Sequence, residues 1–287
     1  MSHRNSKHDT PTIADIHDAA QRIKDHTVRT PLLESRIMTE RLGARVFLKP
    51  EVLQRTGSFK FRGAYTKISR IEPTQRRNGV VAFSSGNHAQ GVAAAAALHN
   101  IKATIVMPKD APLIKIDNTR ALGADVILYD RYTEDRGEIS TRICAELGAT
   151  LVPPFDDVDV ISGQGTVGLE IAEDMAVMGL HADKVIVPCG GGGLVAGTAV
   201  ALAALSPDTE VWAVEPEHFD DTVRSLETGE RFANAPEART ICDALSSPMP
   251  GQITFGINRR YLTGGVAVSE SELPTQWLRH SGCLRLL

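Results

Sequence analysis

Four short stretches carry residues that could do chemistry. The first is Thr56-Gly57-Ser58-Phe59-Lys60-Phe61-Arg62-Gly63-Ala64, a lysine set among small and apolar residues. An ε-amine forms a Schiff base with an aldehyde only when it is neutral. An apolar setting and the partial positive charge of a helix N-terminus both push a lysine that way. Most lysines are solvated, so alone this stretch also reads as an ordinary surface helix start. The second stretch is Ser84-Ser85-Gly86-Asn87-His88, at the end of an apolar run. Ligands gather at the carboxyl edge of α/β sheets, but Ser and Asn also cap helices routinely, and His88 by itself reads as structural. The third is Pro188-Cys189-Gly190-Gly191-Gly192-Gly193-Leu194, between an apolar run and a run of small residues. Glycines there let backbone N–H groups approach an anion, and a following helix adds favourable partial charge. A plain tight turn is the alternative. Neither the G-x-G-x-x-G nor the G-x-x-x-x-G-K-[ST] nucleotide fingerprint fits. The fourth is Glu215 with Asp220 and Asp221, which reads either as oxygen ligands for Mg2+ or Ca2+ or as a solvated acidic loop.

The elements that must position these residues can be read from periodicity. Thr12-Ile13-Ala14-Asp15 is a capping-box pattern, followed by apolar residues at helical spacing from Ile13 to Ile23. A short strand is expected within 45–51, and a helix from the lysine stretch to Ile71, before Pro73. Strands at 80–83, 103–107 and 125–129 alternate with helices at 89–99, 114–122 and 134–147. That alternation implies a parallel sheet covered by helices on both faces. It predicts a small α/β lobe over 79–153. Pro153-Pro154 marks the crossing to a large lobe made of 1–78 and 154–287. In the latter, Ser162 to Thr166 is expected to open a helix over 167–178. Strands at 184–187, 210–214 and 266–269 and a helix at 194–205 follow.

Composition narrows the function class. The chain has 287 residues, 42% hydrophobic and 23% charged, which excludes disorder and allows a large core. A net charge of -4 gives no reason to expect nucleic acid. Met1 to Thr10 has no apolar signal core, and no apolar run approaches the roughly 20 residues that a membrane span needs. Cys144, Cys189, Cys242 and Cys283 show neither metal-ligand spacing nor a disulfide framework. A reduced cytoplasmic protein is expected, with Cys189 a small buried thiol.

Taken together, the lysine stretch, Ser84 to His88, Gly163-Gln164-Gly165-Thr166 and Gly190 to Gly193 resemble the serine/threonine dehydratase (threonine ammonia-lyase) and serine racemase family. These are pyridoxal-phosphate (PLP) enzymes of fold type II, and the likeness runs from about Thr12 to Ser269. The resemblance implies an α/β, tryptophan synthase β-like fold of two lobes, each an open, twisted, mostly parallel sheet flanked by helices. Lys60 would hold the cofactor as a Schiff base and then act as the base at Cα. Phe59 would pack by the ring, and Asn87 would bond its hydroxyl. Gly190, Gly191, Gly192, Gly193 and Leu194 would offer N–H groups to its phosphate. Ser85 would be the acid/base on the opposite face. Ser84, Ser85, Gly86, Asn87 and His88 would receive the substrate carboxylate. Glu215, the Phe219 carbonyl and Asp221 would hold a divalent cation such as Mg2+.

The implied activity is dehydration and deamination of L-threonine and L-serine, small amino-acid substrates, to a 2-oxo acid and ammonia. Serine racemase and 3-hydroxyaspartate ammonia-lyase are alternatives on the same machinery. The latter needs an extra cation for the second carboxylate, and the sequence identifies none. An alternative of another class is a PLP-binding protein without catalysis. Homodimers and homotetramers are common in the family. Pro274 to Leu287 departs from the family pattern. A truncated or frame-altered terminus is therefore expected, one that exposes apolar core and removes one cofactor contact.

Overall fold

The capping box at Thr12 forms. The Thr12 hydroxyl accepts from the Asp15 N–H at 3.4 Å, and the Asp15 carboxylate accepts from the Thr12 N–H at 2.9 Å, opening α1 (Ile13–Ile23). The computed structural model describes residues 9–272, so Pro274 to Leu287 and Cys283 lie outside the described residues. A short antiparallel pair, β1 (Leu33–Glu34) and β2 (Phe47–Leu48), brackets α2 (Arg36–Leu42). The lysine stretch then opens α3 (Lys60–Ser69), and α4 (Pro73–Arg76) follows.

The next strands, β3 (Val80–Phe83), β4 (Ala103–Pro108), β5 (Asp125–Tyr129) and β6 (Thr150–Leu151), form a parallel sheet in the order β5-β4-β3-β6. Its crossovers are α5 (Asn87–Leu98), α6 (Leu113–Ala121) and α7 (Arg136–Leu147). The two-residue β6 was not expected, since two residues carry no periodicity. Helix α5 starts at Asn87, two residues before the sequence suggests, so Asn87 and His88 stand in its first turn. Beyond lie α8 (Val158–Val177), β7 (Lys184–Pro188), α9 (Gly193–Leu205), β8 (Glu210–Pro216), α10 (Asp221–Thr228), α11 (Gln252–Tyr261) and β9 (Gly264–Val268). Strands β7, β8 and β9 make a second parallel sheet in that order.

One expectation needs correcting. Gly163-Gln164-Gly165-Thr166 does not open a helix; it lies inside α8. The start is set upstream by Asp157, whose carboxylate accepts from the Asp159 and Val160 N–H groups at 2.9 and 3.1 Å. The glycines are packing notches instead. A Cβ on Gly163 would lie 2.6 Å from the Arg62 carbonyl and from the Gly63 Cα of α3. A Cβ on Gly165 would lie 2.9 Å from the Gly197 carbonyl of α9. Helix α8 thus packs backbone to backbone against the two helices that carry the lysine and the glycine loop. One apolar cluster joins Phe61, Ala64 and Ile68 of α3 to Val92 and Ala95 of α5 and to Val80 and Ile105. The first sheet and the lysine helix therefore share a core.

Candidate active site

Lys60 is placed by the loop before it. Thr56 and Gly57 both take left-handed backbone, φ 64° and 73°, which turns the chain so that α3 begins at Lys60. Gln54 pins that loop, accepting from the Val28 N–H at 2.9 Å and donating to the Val28 carbonyl at 2.7 Å. Two residues on from Lys60, Arg62 is fully buried between Glu51 and Glu170, with four contacts of 2.7–3.0 Å, and also donates to the Thr166 hydroxyl at 3.1 Å. The two carboxylates hold its guanidinium charged despite burial. Sequence reading missed Arg62 as a positioning residue. Its presence inside the lysine stretch was the available signal, but its partners come from distant segments.

The Lys60 amine donates to the Pro154 carbonyl at 2.7 Å and stands 5.2 Å from the centre of the Phe59 ring. Burial lowers its pKa to about 8. The neighbouring Phe155 packs on the glycine loop, where a Cβ on Gly191 would fall 2.2 Å from its ring. Pro154 and Phe155 therefore tie the amine to the loop, a link the sequence showed only as a lobe crossing. Gly192 has φ 90° and precedes Gly193, the first residue of α9. The Gly191 carbonyl is turned away, accepting from the Thr254 hydroxyl at 2.8 Å. Gly190 to Gly193, Leu194, Phe59, Lys60 and Ser84 to His88 all line one cavity of about 1380 Å³.

Within the second stretch, the Ser84 hydroxyl accepts from the Gly86 N–H at 3.1 Å. The Ser85 hydroxyl and the Asn87 amide make no hydrogen bond among the described residues, so both are free for a ligand in the cavity. His88 is buried, with Nε2 2.9 Å from the Val152 carbonyl. A carbonyl only accepts, so Nε2 carries the proton. Burial first, and the nearby Lys60 second, lower the His88 pKa to about 3, leaving a neutral supporting ring. Cys189 is buried beside the Thr222 hydroxyl at 3.3 Å, and burial pushes its thiol well up, which makes it inert.

Glu215 and Asp221 come together, and both are buried, so the solvated-loop alternative does not describe them. Glu215 accepts from the Thr222 and Val223 N–H groups at 3.2 and 2.9 Å. Asp221 Oδ1 accepts from the Asn234 amide at 2.6 Å, and its Oδ2 is buried with no partner. Burial first, and repulsion from Asp221 second, raise Glu215 to about 8; burial raises Asp221 to about 6. Asp220 instead pairs with Arg224 at 3.1 Å. Among the described residues no cluster of three His, Cys, Asp or Glu side chains could hold a metal. A cation here would need backbone or water oxygen as well.

A neutralisable lysine, a free amide lining the same cavity and a glycine-lined helix N-terminus suit an aldehyde cofactor that carries a phosphate. The family description "Pyridoxal-phosphate dependent enzyme" matches residues 23–277. The chain belongs to this family. Its Saccharomyces cerevisiae relative, an L-threo-3-hydroxyaspartate ammonia-lyase, is 44% identical over 263 residues, 92% of this chain and 79% of the relative. The solved threonine deaminase from T.th. superposes with a TM-score of 0.88 at 44% identity, covering 94% of this chain and 87% of that one. Serine racemase from Dictyostelium discoideum superposes with a TM-score of 0.89 at 34% identity, covering 96% and 87%. The α/β architecture with parallel sheets flanked by helices is the family's type II fold. Among the described residues, no helix is long and apolar enough to cross a membrane.

Proposed function

We propose that this chain eliminates water and then ammonia from small 3-hydroxy amino acids, L-threonine and L-serine among them, to give 2-oxo acids. When bound, PLP supplies the electron sink that lets Cα release its proton. The observation that carries the reading is the Lys60 amine, placed at a helix start, able to be neutral near pH 8, and one residue-contact away from a glycine cradle. Lys60 would hold the cofactor and then take the proton from Cα. The N–H groups of Gly190 to Gly193 and Leu194, at the α9 N-terminus, would bind its phosphate. The Asn87 amide would fix the ring hydroxyl, and Phe59 would pack beside the ring. Ser84 to His88, at the α5 N-terminus, would take the substrate carboxylate.

The free Ser85 hydroxyl favours a second reading, racemisation of serine, because a donor opposite Lys60 could return the proton to the other face. Glu215, the Phe219 carbonyl and Asp221 would hold a divalent cation, Mg2+ for instance. It would satisfy the orphan Asp221 oxygen and relieve the repulsion between the two carboxylates. The division into lobes at 79–153 and at 1–78 with 154–287 would let the serine-rich loop close on substrate. A cytoplasmic homodimer or homotetramer completes the reading, supported by the free Cys144, Cys189 and Cys242 and by the habit of the family.

The test incubates PLP-loaded protein with L-threonine and L-serine and measures 2-oxo acid, ammonia and D-serine. We expect 2-oxobutanoate and ammonia in equal amounts from threonine, and a loss of at least about 10³-fold in Lys60→Ala. No 2-oxo acid from either substrate, or a Lys60→Ala variant that works as well as wild type, would overturn the reading. D-serine as the main product would select racemisation.

A further inference from the structure

We infer that Thr254 is a positioning residue for the cofactor's phosphate: its hydroxyl latches the Gly191–Gly192 peptide with the N–H turned into the cavity and the carbonyl turned out. The inference rests on the reading that the glycine loop holds that phosphate. It names a residue outside the loop that decides whether the loop can do so.

The first observation is where the hydroxyl goes. A helical Ser or Thr commonly turns its hydroxyl back to a carbonyl one turn earlier in its own helix. Thr66, Thr119 and Thr228 do so, donating to the Arg62, Lys115 and Arg224 carbonyls at 2.8, 2.8 and 2.9 Å. Thr254 is fully buried in the first turn of α11 and instead donates to the Gly191 carbonyl at 2.8 Å, 63 residues away along the chain. The Gly251 N–H reaches the same oxygen at 3.4 Å. Neither Thr254 nor Gly251 lines the cavity, so both draw the carbonyl away from it.

The second observation is the backbone that is held. A trans peptide is planar, with its C=O and N–H pointing opposite ways. Among the described residues every peptide is trans, so fixing the Gly191 carbonyl outward aims the Gly192 N–H inward. That N–H has no backbone acceptor among the described residues. Gly192, at φ 90° and ψ -4°, has the geometry of the third residue of a type II turn. Rotating only the 191–192 peptide plane converts such a turn to type I, with a negative φ at that residue. Neither glycine carries a Cβ to oppose the rotation. The rotated form would present a carbonyl where an anion needs an N–H. The glycines that let the loop approach a phosphate therefore also leave it two orientations, and Thr254 selects the binding one.

The third observation is how Thr254 itself is held. The Asp156 carboxylate caps α11, accepting from the Gln252, Ile253 and Thr254 N–H groups at 2.9, 2.8 and 3.2 Å. Asp156 follows Pro154 and Phe155. One short segment thus takes the Lys60 amine, lays a ring against Gly191 and fixes the helix that carries the latch.

The test titrates the full-length, cofactor-free chain with three probes: PLP, pyridoxal (the same aldehyde without the phosphate) and inorganic phosphate. The aldehydes are read by the Lys60-dependent visible band and phosphate by calorimetry. Thr254→Val keeps the shape and removes the hydroxyl. In it, the affinities for PLP and for phosphate should fall on the order of tenfold, as expected for one lost hydrogen bond. The affinity for pyridoxal should stay within about twofold of wild type. Thr254→Ser restores the hydroxyl and should recover most of the affinity for PLP. Equal losses for PLP and pyridoxal, which a merely structural role would give, overturn the proposal, and so does an unchanged affinity for PLP. If neither aldehyde gives a band but phosphate binding still falls in Thr254→Val and returns in Thr254→Ser, the latch stands and the cofactor reading falls. If phosphate binding ignores Thr254 as well, both fall. Should Thr254→Val melt early, Thr254→Ala, which lacks the hydroxyl and leaves space, replaces it in all three titrations.

Discussion

At the residue scale, the chemistry depends on one amine kept partly desolvated. Folding takes Lys60 from an ordinary 10.5 to about 8, and burial is the cause. The folded state therefore binds its proton more weakly than the unfolded chain does. Between about 8 and 10.5 the unfolded chain holds more protons, so this group's contribution makes stability rise with pH through that window. Below it, the full drop corresponds to roughly 3 kcal/mol of destabilisation, which an open, half-buried site reduces by screening. Removing the amine also leaves the Pro154 carbonyl without its donor, at about 1 kcal/mol. The first effect is the larger. Cofactor-free Lys60→Met should melt about 2–4 °C above cofactor-free wild type at pH 7, with the gap closing toward pH 10.5. Thermal melts at the two pH values decide it. A gap of the same size at both, or a less stable variant at pH 7, would remove the desolvation argument for Lys60. Sequence made Lys60 visible through its apolar neighbours. It could not show Arg62 in its role, because that role is defined by a group far away along the chain, Glu170.

At the element scale, the site is held by helices that touch through glycine. The sequence pattern placed most elements within a residue or two, because capping residues and apolar runs act locally. It failed at Gly163 to Thr166, where the glycines read as the opening of a helix although they lie inside α8. The local signal is the same in both cases, and only the neighbouring Gly63 and Gly197 reveal a packing notch. This contact sets two effects against each other. Replacing a helical glycine by alanine gains about 1 kcal/mol of helix propensity. At Gly197, however, the new Cβ would lie 2.5 Å from the Gly165 nitrogen and the Ile161 carbonyl, both backbone atoms that cannot swing away. Overpacking of that kind costs about 1–3 kcal/mol or more, and it pushes α8 from α9. Gly197→Ala should therefore lose about 2 kcal/mol net in denaturant unfolding. Gly256→Ala is the matched control, since Gly256 is inside α11 and its Cβ would meet nothing within 4 Å. It should gain up to about 1 kcal/mol. If both substitutions stabilise, close helix packing is not what the α8 glycines provide.

At the scale of the whole molecule, strand-helix alternation made the parallel sheets legible, but their order and the short β6 depend on pairings between distant segments. The acidic pair is the clearest case of long-range assembly. Glu215 is the next-to-last residue of β8 and Asp221 starts α10, and Thr222 reaches across to Cys189, the residue before the glycine loop. A charge placed there is felt by the fold and by the phosphate cradle together. Without a cation, burial first and the Asp221 charge second hold Glu215 protonated near neutral pH, and Asp221 Oδ2 has no partner. Asp221→Asn removes one charge and can keep the carbonyl that accepts from Asn234. In a chelator, the variant should match or exceed wild type in thermal stability. With Mg2+ at about 100 times its dissociation constant, wild type should gain about 2.7 kcal/mol, and the variant almost nothing. The order of stability would then reverse between the two buffers, a crossing that a simple packing defect cannot produce. A wild-type melt that ignores Mg2+, Mn2+ and Ca2+ alike would leave Glu215 and Asp221 as a strained structural pair, with Glu215 kept protonated by burial rather than by any role in holding metal.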